Sequence, residues 1–146
     1  MHALARVVIM RSLALFLSLT TGSAFVVPQN GRHVSRLFAA FSESSQLAQL
    51  ASVTVLSIDS GDLEVIREYA DSGYITDATT NPLFVAQAGM SGDATYSSMV
   101  DDAIDYAVSK ISADEDATVS LAIDRLAVNL GKAISEIVPG YISTEV

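Results

Sequence analysis

From Ser44 onward the spacing of apolar residues changes repeatedly, and each change marks an element. In SSQLAQLA (44–51) Leu47 and Leu50 stand three apart behind a serine-rich start, which predicts a short capped helix. Val53 to Ile58, VTVLSI, is a β-branched run stopped by Asp-Ser-Gly-Asp. Apolar residues at both alternate positions predict a buried strand of a parallel sheet covered on both faces. Asp62 can cap a helix over Leu63 to Ala70, with Leu63, Ile66 and Tyr69 or Ala70 on one side and Gly73 as its stop. Tyr74 to Thr80 reads as a second strand halted by Asn81-Pro82. The proline suits the first turn of a short helix over Leu83 to Ala88, before Gly89 and Gly92 break the chain.

Two longer helices follow. One starts at Thr95 or Tyr96 and runs to Lys110, with Met99, Val100, Ala103, Ile104 and Ala107 at helical spacing and Asp101, Asp102 and Asp105 facing water. That acidic trio reads as a solvated helix face rather than a metal site. The other opens on Asp114, Glu115 and Asp116, acids at the positive end of its dipole. Its apolar stripe is Ile123, Leu126, Leu130, Ile134 and Ile137, and Pro139-Gly140 ends it. Tyr141 to Val146 (YISTEV) begins a third strand. The order helix, β, α, β, α, α, α, β predicts an α/β fold with a parallel sheet and right-handed crossovers.

The first 42 residues follow different rules. Ser12 to Val27 carries no charge, is preceded by Arg6 and Arg11, and holds a small-x-small site at Gly22, Ser23 and Ala24. Residues 1–24 therefore read as a signal peptide, with a membrane anchor as the alternative, since about 20 apolar residues are needed to span a bilayer. Residues 25–42 contain Arg32, His33 and Arg36 but no acid, as organelle transit segments do. A signal peptide, a phenylalanine and a basic stretch in succession resemble the two-part leaders of proteins imported into complex plastids of algae. Plastid delivery is the expectation and secretion the alternative. Fold reasoning is confined to residues 43–146.

Charge sharpens that division. Of the eight cations, four lie in residues 1–42, and all 17 acids lie from Glu43 onward against Arg67, Lys110, Arg125 and Lys132, a net charge of −13 for that part. So acidic a domain lacks the basic footprint that nucleic acid or an anionic membrane surface requires, and neither is expected as a partner once the leader is gone. Cysteine is absent, which excludes disulfides, thiolate metal sites and a cysteine nucleophile.

Chemistry is expected where apolar strands run out into polar residues: Ile58 to Asp62, Asp77 to Pro82 and Ser143 to Val146. In a barrel such ends gather on one rim and can converge on one substrate, although Asp and Asn also serve simply as caps. Asp77-Ala78-Thr79-Thr80-Asn81-Pro82 resembles the DATTNP signature of transaldolases, and Asp59-Ser60-Gly61-Asp62 resembles their D-[ST]-G-D segment. Val138 to Val146 is similar to their VPG-x-[IV]-STEV, and Asp124 to Asn129 to their D-[KR]-L-x-V-N stretch. The four matches are collinear over about residues 46 to 146. Leu83, where a small residue usually follows TTNP, and Tyr141, where a basic residue is frequent, depart from the pattern beside the motifs.

The resemblance implies the first three strands of a TIM (β/α)8 barrel in the class I Schiff-base aldolase superfamily. A complete barrel takes roughly 250 residues. It implies transfer of a dihydroxyacetone unit between sugar phosphates of the pentose phosphate pathway: sedoheptulose 7-phosphate, fructose 6-phosphate, glyceraldehyde 3-phosphate and erythrose 4-phosphate. A lysine would form an imine with the ketose. Asp59 and Glu145 would be the catalytic carboxylates, Asn81 and Thr79 would bind substrate, and neither a metal nor an organic cofactor is expected. A homo-oligomer is compatible with the resemblance. The family's lysine lies on the strand after the one ending at Glu145, its phosphate-holding arginines lie further on, and neither Lys110 nor Lys132 matches a strand-end amine. Residues 1–146 alone are therefore expected to be inactive. The alternatives are a non-catalytic fragment that binds a partner through open barrel edges, and a related aldolase that cleaves without transfer.

Overall fold

Three short strands lie side by side, all parallel, in the order β1 (Leu56–Asp59), β2 (Ile75–Thr80) and β3 (Ile142–Thr144). They belong to a computed structural model that describes residues 44–111 and 113–145, so the predicted signal-like and transit-like segments lie outside the described residues. Helix α1 (Gln46–Ala51) precedes β1, α2 (Leu63–Ala70) joins β1 to β2, and α3 (Pro82–Met90), α4 (Ala94–Lys110) and α5 (Glu115–Ser135) join β2 to β3. This is the strand–helix alternation of an α/β barrel, present in part, as the sequence order predicts.

Every one of these helices starts on a side chain that accepts hydrogen bonds from its first turn: Ser45, Asp62, Asn81, Asp93 and Asp114. Such caps satisfy amide groups that no helical partner can reach. Pro82 occupies the first turn of α3, so this helix starts one residue earlier than the spacing predicts. Gly89 does not break α3 but is buried within it. The break comes at Gly92, whose φ of 72° lies in the left-handed region.

The core lies on one side of the sheet. Ile58, Ala78 and Ile142 point from successive strands into a cluster with Leu63, Ile66, Val85, Val100, Ile104, Leu126, Leu130 and Ile134. Burying a side chain as large as Ile66 or Leu130 contributes roughly 1.5–3 kcal/mol. The buried stripe of α5 runs through Ala122, Leu126, Leu130 and Ile134, one position round from the predicted Ile123, which is half-buried.

The first strand differs from expectation in two ways. It begins at Leu56, because Val53 and Thr54 both donate their amides to the Leu50 carbonyl at 3.1 Å and wrap the end of α1 instead. Val53 and Val55 are accordingly 79% and 68% exposed. Burial in β1 also alternates, Leu56 and Ile58 inward against exposed Ser57 and Asp59, so among the described residues helices cover one face of the sheet rather than both.

Candidate active site at the strand ends

In a parallel sheet, residues paired across neighbouring strands share a face, and side chains alternate along each strand. Asp59 pairs with Thr79 and Thr79 with Ser143. Asn81 follows Thr79 by two residues in extended backbone (φ −140°, ψ 169°), and Glu145 follows Ser143 by two, its amide bonded to the Thr80 carbonyl at 3.1 Å. Asp59, Thr79, Asn81 and Glu145 thus share the face opposite the helices, at the carboxyl ends of the strands. Direct contact joins two of them, since Thr79 Oγ1 donates to Asp59 Oδ1 at 2.8 Å. Asn81 and Glu145 come alongside through strand order.

Within Asp59-Ser60-Gly61-Asp62 each residue has its own task. Asp59 ends the strand and presents an exposed carboxylate. The Ser60 amide donates to the Thr79 carbonyl at 3.1 Å, and Ser60 Oγ accepts from the Asp62 amide at 3.1 Å. Gly61 is pressed against α3, where an added Cβ would lie 2.7 Å from Phe84 Cβ. Asp62 Oδ1 caps α2, accepting from Glu64 and Val65 at 3.0 and 3.1 Å. Three of the four therefore build the turn.

Asp77 to Pro82 divides in the same way. Ala78 and Thr80 point into the helix side, 1% and 3% exposed, and Thr80 Oγ1 is buried without a hydrogen-bond partner among the described residues. Asp77 accepts from Thr76 Oγ1 at 3.0 Å and lies against Gly140, where any Cβ would collide with its carboxylate. The predicted substrate residue Asn81 is also the cap of α3: its Oδ1 accepts from the Leu83 and Phe84 amides at 3.0 and 3.3 Å. Capping engages the carbonyl end of the carboxamide, and a ligand donor would be the Nδ2 end.

The other two segments serve mainly to pack. Gly140 donates to the Thr76 carbonyl at 2.9 Å and starts β3 in register. Thr144 turns inward, and a Cβ at Gly131 of α5 would lie 2.5 Å from its Oγ1. From the Asp124 to Asn129 stretch, Arg125 Nε and Asn129 Nδ2 both donate to Asp102 Oδ2, at 3.0 and 2.8 Å, tying α5 to α4. Those two bonds, Asn129 first, hold the Asp102 carboxyl below its ordinary range. Asp102 does face water as expected, but it also carries the link between the helices.

Tyr96 has no counterpart among the sequence expectations. Its hydroxyl accepts from the Leu63 amide at 2.9 Å and donates to the Gly61 carbonyl at 3.1 Å, spanning more than thirty residues. Burial pushes its phenol above the usual range, and Asp62, Asp93 and Glu64 add to the rise. The only hint in the sequence is an aromatic residue in the first turn of a helix. Both lysines of the chain ride on helices: Lys110 ends α4 with its ammonium 5.6 Å from the Tyr106 ring, and Lys132 lies in the last turn of α5, at the entry to β3 rather than its exit. The departures flank the site, Leu83 38% and Tyr141 85% exposed.

Comparison with known proteins fits this geometry. A family model described as Transaldolase/Fructose-6-phosphate aldolase matches residues 56–146, from the first residue of β1 through all the strand ends described above. A probable transaldolase of Dictyostelium discoideum is 43% identical over 103 residues, and a transaldolase of Mannheimia succiniciproducens is 46% identical over 103 residues. Transaldolase A of Pasteurella multocida is 44% identical over the same length. In each case the match covers 70% of this chain and 30% of the relative, so the chain spans about a third of the length of the curated relatives it matches. With carboxylate, hydroxyl and carboxamide on one face of a parallel sheet and a family match that runs the length of that sheet, the chain belongs to the transaldolase/fructose-6-phosphate aldolase family.

Proposed function

We propose that these residues form part of the active site of a transaldolase that moves a dihydroxyacetone unit between sugar phosphates in the pentose phosphate pathway. The observation that carries the reading is the Thr79–Asp59 hydrogen bond on the face that also holds Asn81 and Glu145. A ketose phosphate such as fructose 6-phosphate or sedoheptulose 7-phosphate would condense with a lysine amine, losing water to form an imine. Asp59 then takes the proton of the hydroxyl whose carbon becomes the aldehyde. The adjacent carbon–carbon bond breaks, its electron pair flows to the imine, and the aldose phosphate leaves. Addition of the second aldose phosphate, glyceraldehyde 3-phosphate or erythrose 4-phosphate according to direction, reverses these steps. Glu145 relays protons through a water during imine formation and hydrolysis, the Asn81 carboxamide binds the dihydroxyacetone hydroxyls, and Thr79 holds the Asp59 carboxylate toward substrate.

In this reading neither lysine of residues 1–146 supplies the amine, because Lys110 and Lys132 both ride on helices away from the strand ends. A second reading, cleavage of fructose 6-phosphate without transfer, has the family description in its favour. Two assays separate them. The native gene product supplied with fructose 6-phosphate and erythrose 4-phosphate should form sedoheptulose 7-phosphate and glyceraldehyde 3-phosphate. Free dihydroxyacetone without an acceptor would support the aldolase, and no turnover in either assay would refute both. Residues 1–146 alone, treated with fructose 6-phosphate and borohydride, should give no adduct, and labelling of Lys110 or Lys132 would overturn the origin assigned to the amine. Plastid delivery is part of the same proposal, supported by the two-part composition of residues 1–42. A fluorescent protein behind those residues should reach the plastid, and its secretion would count against that placement.

A further inference from the structure

Asp59 is the last residue of β1, so the aim of its carboxylate depends on what fixes the backbone just beyond it. On the β2 side the fixing is local, with the Ser60 amide on the Thr79 carbonyl and the Thr79 hydroxyl on Asp59 Oδ1. On the other side the chain must reverse within Ser60, Gly61 and Asp62, and a glycine there is free to adopt many conformations. Two contacts remove that freedom. Gly61 backs onto Phe84 of α3, and the Tyr96 hydroxyl of α4 holds the Gly61 carbonyl and the Leu63 amide at once. Both bonds of this hydroxyl go to backbone of the turn.

We propose that Tyr96 is a positioning residue for Asp59, its hydroxyl locking the β1–α2 turn so that the carboxylate stays aimed at the substrate face. The inference rests on the proposed role of Asp59 as the base of the reaction. Tyr96 lies on the helix side of the sheet turn and acts through Gly61 and Leu63, without touching the sugar. The partial burial that raises its phenol pKa also shields the two bonds from competing water.

The test uses Tyr96→Phe in the native gene product, which keeps the ring and removes the hydroxyl. Leu63 amide exchange should accelerate about tenfold, the Asp59 carboxylate 13C signal should shift, and kcat of transfer should fall about tenfold with KM nearly constant, as loss of one bond aligning a reacting group predicts. Faster Leu63 exchange with an unmoved Asp59 signal and unchanged kcat would overturn the inference and leave Tyr96 a purely structural brace. If the unaltered protein shows no transfer, it is the proposed function that fails, and the Asp59 signal alone then decides the positioning. Should Tyr96→Phe not fold, site-specific 3-fluorotyrosine at position 96, which strengthens the donor and weakens the acceptor, should move the Asp59 signal. No movement there would equally overturn the inference.

Discussion

Thr79 Oγ1 donates to Asp59 Oδ1 at 2.8 Å across the β1–β2 pair, linking two motifs twenty residues apart. Because the bond is exposed, its weight in stability is small, about 1 kcal/mol or less, and its consequence lies in where the carboxylate points. Thr79→Ser should keep the transfer activity within a few fold, whereas Thr79→Val should lower kcat about tenfold and leave the melting temperature nearly unchanged. Equal activity of the two variants in a coupled assay would remove Thr79 from the site.

Asn81 caps α3 through Oδ1, and since the proposed substrate contact falls to the Nδ2 end, the cap and the proposed binding role can be separated. Asn81→Asp retains a good cap and should preserve stability while raising KM or abolishing transfer. Asn81→Ala should lose both, at a stability cost of about 1 kcal/mol. Chemical denaturation of the two variants beside their kinetics checks this, and a fully active Asn81→Asp enzyme would reduce Asn81 to a cap.

Gly131 is buried inside α5 against Thr144. Elsewhere in a helix, Gly→Ala gains about 1 kcal/mol, but here the new methyl meets Thr144 Oγ1, and overpacking costs about 1–3 kcal/mol. Gly131→Ala should therefore destabilise in thermal unfolding, and in a Thr144→Ala background the same change should stabilise. A stabilising Gly131→Ala in the unaltered background would mean that β3 and α5 are further apart than described.

Asp102 is held below its ordinary pKa of 3.8 by Asn129 and Arg125. A carboxyl depressed in the folded state contributes stability above its unfolded pKa and loses it as pH falls through the lower folded value. The stability gap between the unaltered protein and Asp102→Ala should be small but measurable near neutrality, and should close in acid below pH 3.8. Urea titrations at several pH values test it, and a gap that keeps its neutral-pH size in strong acid would contradict a link that depends on the charged carboxylate accepting from Asn129 and Arg125.

Thr80 buries its hydroxyl without a hydrogen-bond partner among the described residues. An unmet buried hydroxyl costs about 1–3 kcal/mol, so Thr80→Val, close in shape, should raise the denaturation midpoint. A lowered midpoint would indicate that the hydroxyl is satisfied in solution.

Much of this was legible in the chain because local rules agreed with the fold. Asp62, Asn81-Pro82 and Asp114 announce helix starts by chemistry that acts within one turn, and each is the cap or first-turn residue the structure contains. The strand-end segments that hold Asp59, Thr79, Asn81 and Glu145 stand out because polar residues close apolar strands, and the resemblance to the transaldolase motifs is what singles out these four within them. Val53 and Val55 suit a strand by their β-branched pattern, but the Val53 and Thr54 amides bond the end of α1, and both valines stay exposed ahead of β1. Gly89 misled in the other direction, since a small buried residue was needed inside α3.

The sequence by itself determined the order of elements, the parallel α/β class and the family, through periodicity, caps and collinear motifs that depend only on near neighbours along the chain. The tertiary structure alone decided that one face of the sheet is packed and the other polar, and that Asp59 leans on Thr79. It also decided that Arg125 and Asn129 serve Asp102, and that Tyr96 closes the turn beyond Asp59. Those contacts bridge residues twenty to thirty-five positions apart. Periodicity has no reach over such separations, and only the packing of helices onto strands brings the partners within hydrogen-bond distance.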